Sequence, residues 1–201
     1  MKPVLSRAAG LLLGICLGAP GQVIQFESNG LKYQTITKRG VTLMVAHLPG
    51  HVREFSILQV AISNGSPGPY IIRPEDFSYR KDDGAELHAW AAGDVVKLLK
   101  EKGGRGDVIK LVSAYETALY GIPHMKVANS YEARRQAALA EVNSTKLKAA
   151  AAASAIAFVQ TKLLPGESTD GAVFFGAEGK AFGPGKLIVR TNTDVFEFGA
   201  E

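Results

Sequence analysis

The chain has a single cysteine, Cys16, so a disulfide framework or a Cys-based zinc site is ruled out. Tryptophan also occurs once, as Trp90, and aromatic residues make up only 8%. Charge of one sign is scarce: 23 Lys and Arg stand against 19 Asp and Glu, a formal balance of +4. Two of those positives, Lys2 and Arg7, lie in a leader-like start, which leaves about +2 on the remainder. That surplus is too small for phosphate-backbone recognition, so nucleic acid is not expected as a partner. The chain shows no Gly-x-Ser-x-Gly elbow, no P-loop and no EF-hand spacing. The reading is therefore a non-enzymatic protein without a cofactor or a bound metal. What is present is ordinary for a globular fold, 46% apolar and 21% charged residues over 201 positions, which excludes disorder.

The start reads as an export signal. A short basic region with Lys2 and Arg7 precedes an apolar run over 8–19, then Pro20-Gly21-Gln22. Ala19 and Gly21 fit a small-x-small cleavage site, so residues 1–21 form the expected signal peptide. The run is shorter than the roughly 20 residues of a membrane-spanning helix. No later segment is apolar enough to span, so no transmembrane segment is expected after cleavage. A lipoprotein acylated at Cys16 fits less well, because Ile15 precedes the cysteine where a small residue belongs. The expected location is the periplasm or the extracellular side.

Two composition regimes follow. In Phe55-Ser-Ile-Leu-Gln-Val-Ala-Ile-Ser63, alternation puts Leu58, Val60 and Ile62 on one face and Gln59, Ala61 and Ser63 on the other. This pattern predicts a half-buried antiparallel strand ending in a cluster of turn formers, Asn64-Gly-Ser-Pro-Gly-Pro69. Shorter strands are expected at 23–27, 32–37, 42–47, 70–72, 77–79, 172–175, 186–190 and 195–198, with Asp82-Asp83-Gly84 as a hairpin turn. Between them, 89–164 carries helical periodicity and abundant alanine. Val95, Leu98 and Leu99 fit one helix ended by Gly103-Gly104. Val108, Leu111, Val112, Tyr115 and Leu119 fit a second, with Asp107 as N-cap and Gly121 as stop. A long helix is expected over 130–162. The fold class is α+β: one antiparallel β-sandwich, 22–88 and 165–201, interrupted by a helical insertion at 89–164.

Val60-Ala-Ile-Ser-Asn64, then Tyr70-Ile-Ile-Arg-Pro74-Glu-Asp-Phe77, then Asp82-Asp-Gly84 resemble bacterial extracytoplasmic immunoglobulin-like domains. Leu164-Pro-Gly-Glu167 with Gly171-Ala-Val-Phe-Phe175 is similar to their later turn and strand. The resemblance covers about half of the chain after the leader. It implies an immunoglobulin-like sandwich exported to the cell envelope, in an adhesive or scaffolding role.

Candidate sites are few. His47 and His51 flank Leu48-Pro49-Gly50, a turn rather than a helical pair, and no third metal ligand accompanies them. Glu75-Asp76 and Asp82-Asp83 are explained by turn chemistry. Gly103-Gly104-Arg105-Gly106-Asp107 lacks the Lys-Ser/Thr of a phosphate loop. On the long helix, Val142, Ala149, Ile156 and Leu163 recur every seven residues as a seam of mostly small side chains. That seam packs on the neighbouring helices of the same chain or docks an envelope partner or a second copy. A helix over 130–162 would reach about 50 Å, so part of it should project. The alternative is a small-molecule or glycan module, with Trp90 in a cleft between sandwich and helices.

Overall fold

The computed structural model describes residues 21–120, 131–140, 142, 144–178 and 182–199. The expected leader with Cys16, and the positions of His124 and Ser130, lie outside the described residues. The fold is α+β with mostly antiparallel sheets. A five-stranded sheet has the order β1 (Ile24–Ser28), β2 (Leu31–Lys38), β3 (Val41–Val52), β4 (Phe55–Asn64), β9 (Ser168–Gly176). A four-stranded sheet has the order β11 (Val195–Phe198), β10 (Gly185–Arg190), β6 (Phe77–Lys81), β7 (Glu86–His88). Strands β5 (Tyr70–Ile72) and β8 (Thr161–Leu163) pair with each other.

Two cores lie on the two faces of the central sheet. Leu58, Val60 and Ile62 of β4 pack with Phe77, Leu187, Val189, Phe196 and Phe198 of the second sheet. The opposite face of the central sheet, with Leu31, Tyr33, Phe55, Ile57 and Phe174, packs on the helices. Strand β4 is therefore buried on both sides rather than half-buried, because helices cover the face that carries Gln59 and Ala61. Helix α1 (Ala92–Lys102) inserts Val95 and Leu99, α2 (Arg105–Leu119) inserts Leu111 and Tyr115, and α4 (Thr145–Ile156) inserts Ala149, Ala152 and Ile156.

The single helix expected over 130–162 is instead α3 (Tyr131–Leu139), α4 and then β8. Ser144 divides it: its hydroxyl accepts from the Leu147 amide at 3.2 Å, an N-cap that starts a new helix. The helix ends at Ile156, where the chain lies down on β9 and the Phe158 amide donates to the Ala172 carbonyl at 2.8 Å. Gly171 permits that approach, since a Cβ there would stand 2.8 Å from the Phe158 Cα. Phe158 and Leu163 then enter the core between the sheets, so no 50 Å rod projects and the segment 89–164 is not purely helical.

Asn64 joins two distant turns. Its side-chain Nδ2 donates to the carbonyls of Gly68 at 2.8 Å and Leu163 at 3.0 Å, and its backbone carbonyl accepts from the Gly166 N–H. The turn after β4 and the Leu164-Pro165-Gly166-Glu167 turn before β9 are thereby held side by side.

Candidate docking surface on the helical layer

The proposed seam is occupied by the protein itself. Ala149 and Ile156 are fully buried against the central sheet and the other helices, and Leu163 is buried in β8 on the opposite side of that sheet. Val142 is half-buried between α3 and α4. The seven-residue spacing does not correspond to one continuous face, because the helix carrying it ends at Ile156. Trp90 is 38% exposed and sits edge-on to Phe55 at 5.1 Å, with its indole over Gly176. It forms a wedge where β7 leads into α1, and it lines none of the grooves described below.

Helix α2 presents apolar side chains at the surface of the helical layer. Its inner stripe, Leu111, Tyr115 and Ala118, is fully buried, while Ile109 on the outer face is 58% exposed. Two grooves flank it. One, of about 370 Å³, runs between the tip of the β3–β4 hairpin (Leu48 to Val52) and Ile109, Lys110 and Ser113. The other, of about 750 Å³, runs between α2 and α3, past Val108, Val112, Glu116, Tyr120, Arg135 and Leu139. Helix α2 is thus an exposed ridge between two troughs, the relief that a partner helix fits by packing ridges into grooves.

Each end of α2 is pinned to the sheet. At its start, the Asp107 carboxylate accepts from the Gly104 amide at 2.8 Å and pairs with Arg53 at 2.8 Å. Asp107 lies in the first turn rather than at the N-cap expected for it; Gly104 holds the cap position. At its end, the Tyr33 hydroxyl donates to the Ala118 carbonyl at 2.7 Å and Asn29 donates to the Thr117 carbonyl at 3.3 Å. These bonds satisfy helix-end groups that would otherwise lack partners.

Beneath the ridge, two acid–tyrosine–arginine sets clamp α2 to α3. In the inner set, Asp170 of β9 has its side chain fully buried, accepts from the Tyr115 hydroxyl and pairs with Arg134 at 3.1 Å. In the outer set, Glu116 accepts from the Tyr131 hydroxyl at 3.1 Å and pairs with Arg135. The rings of Tyr115 and Tyr131 stand 5.1 Å apart and connect the two sets. Burial pushes the Tyr131 phenol up to about 12, and burial followed by the adjacent Asp170 charge pushes Tyr115 well above its ordinary value. Both phenols therefore stay protonated donors at neutral pH. The carboxylate lining the larger groove is held in this clamp through its Oε1, so the arrangement is built for rigidity. Sequence reasoning missed both sets. Tyr115 is visible as the one aromatic in the α2 stripe, but its partner Asp170 is 55 residues away.

A third cavity, of about 420 Å³, opens between the sheets and is lined by His47, Ser56, Tyr79, Phe182 and Pro184. His47 stands edge-on to Phe182 at 4.8 Å and to Tyr79 at 6.1 Å, and burial lowers its pKa to about 4. His51 borders the first groove instead, beyond the β3 irregularity that separates the two histidines. Among the described residues, no three His, Cys, Asp or Glu side chains gather as a metal site. No helix among the described residues is long and apolar enough to cross a membrane.

No protein-family model, curated protein or solved structure matches this chain.

Proposed function

We propose that the chain is an exported, non-enzymatic protein of the cell envelope, an immunoglobulin-like β-sandwich scaffold whose helical layer docks a partner protein. The observation that carries this reading is the α2 ridge, with Ile109 at its crest and a trough on each side. The occupant is an amphipathic helix with an acidic flank. Arg105 and Lys110 are the exposed charges of α2 without an ion-pair partner among the described residues, whereas Asp107 and Glu116 are paired within the fold. A second copy fits less well, because meeting ridge to ridge would set these cations against themselves.

A photo-cross-linking residue at position 109, introduced in the producing cells, should give one discrete adduct with a protein that carries such a helix. Ile109→Asp should weaken binding of that partner at least tenfold, since one buried aliphatic side chain contributes roughly 1.5–3 kcal/mol. Adducts of equal yield from a probe at Lys186 on the far sheet, or a partner indifferent to Ile109→Asp, would sink the reading.

The alternative, a small-molecule or glycan module, is favoured by a different observation, the aromatic wall of Tyr79 and Phe182 beside His47. In this reading the ligand lies between the sheets, not in the expected cleft between sandwich and helices at Trp90.

A further inference from the structure

The end of the helical layer where α1, α2 and α4 meet adjoins the start of the α2 ridge and shares Arg105 with it. Gly103, which ends α1, approaches α4 so closely that a Cβ on it would stand 2.6 Å from the Ala149 Cβ and would also strike the Leu99 carbonyl. Within three residues of that contact along either segment lie Lys100, Lys102 and Arg105 on one side and Lys146 and Lys148 on the other. Their backbones fall within roughly one helical turn of the contact. All five side chains are exposed, and none has an ion-pair partner among the described residues. Within the same reach the only carboxylate is Glu101. Leu147, between the two α4 lysines, is 40% exposed.

We infer that this end binds the surface of an anionic phospholipid bilayer, as a peripheral contact that leaves Ile109 and the two troughs beside α2 uncovered. Four of the five cations are lysines, point charges on flexible stems that suit a diffuse layer of headgroups rather than a planar, bidentate acceptor. They line none of the described cavities, and no aromatic side chain interleaves with them as a nucleic-acid strand would require. Leu147 supplies the apolar side chain that enters the headgroup boundary. Each lysine or arginine near an anionic leaflet strengthens binding by roughly fivefold, so the five cations give measurable but reversible association.

The test uses the protein as the producing cells process it, with flotation on vesicles of equal parts phosphatidylglycerol and phosphatidylcholine. The protein should float with these and not with pure phosphatidylcholine, and should detach as salt shrinks the Debye length to about 3 Å. The double change Lys146→Glu with Lys148→Glu should lower binding by at least about 25-fold while thermal unfolding is unchanged. If that variant folds poorly, Lys100→Glu with Arg105→Glu reports on the same patch from the other helices. Equal binding to neutral vesicles overturns the inference, as does binding that survives both charge reversals. Release by soluble polyglutamate at matched charge would assign the patch to an acidic protein and overturn the lipid assignment. The assay contains no partner protein, so its failure is distinguishable from failure of the docking reading.

Discussion

At the scale of single residues, His47 carries the clearest pH consequence. Its ring is held between Tyr79 and Phe182, and burial brings its pKa from 6.5 to about 4. The folded state keeps the ring neutral, whereas the unfolded chain takes up a proton below 6.5. The stability owed to this ring is therefore full above pH 6.5 and is lost as the pH falls towards 4, by roughly 3 kcal/mol at most. His47→Phe removes the titrating group and keeps an aromatic in the corner. Urea unfolding of both proteins at pH 7 and pH 4.5 should show a smaller acid-side loss for the variant, by roughly 2–3 kcal/mol. Parallel losses in the two proteins would dismiss the argument, and His51, exposed beyond the β3 irregularity, serves as the control substitution.

At the scale of elements, the junction of α4 with β9 is a tight joint. Ala157 bridges Ala172, the Phe158 amide bonds to the Ala172 carbonyl, and the absent side chain of Gly171 makes room for the Phe158 backbone. Gly171→Ala should cost about 1–3 kcal/mol by overpacking, because the first atom it meets is main chain and cannot swing away. Denaturant titration checks this, and a loss below about 0.5 kcal/mol would mean that the strand shifts freely. The same joint explains what the sequence conceals. Strands such as β4, β5 and β11 are legible because alternation and turn residues are local signals, and α1 and α2 are legible from their apolar stripes. The alanine-rich stretch is not, since alanine favours helix whatever the tertiary outcome. The Asn143-Ser144-Thr145 capping signal and the run Phe158-Val159-Gln160-Thr161 were the marks of interruption. Asp170 and its clamp could not be read at all, because their meaning depends on β9 returning beside β4 after the helices.

At the scale of the whole molecule, the central sheet makes the helical segment part of the fold rather than an attachment to it. Removing 89–164 would uncover Leu31, Tyr33, Phe55, Ile57 and Phe174 on one face, and would take Phe158 and Leu163 out of the core on the other. It would also leave β5 without its partner strand. Burial of large apolar side chains contributes roughly 1.5–3 kcal/mol each, and a domain's whole stability is only about 5–15 kcal/mol. A chain joined across that gap should therefore lack a sharp thermal transition and bind hydrophobic dyes, as a collapsed but unpacked state does. In the intact protein, Trp90 fluorescence reports on the sheet-to-helix junction and far-UV circular dichroism on the helices. The two signals should lose their native values at one common midpoint. A deletion variant that unfolds cooperatively, or two separated midpoints in the intact chain, would mean that the sheets form a core of their own. The helices would then be free to move on it, and the grooves beside α2 would no longer be a fixed surface.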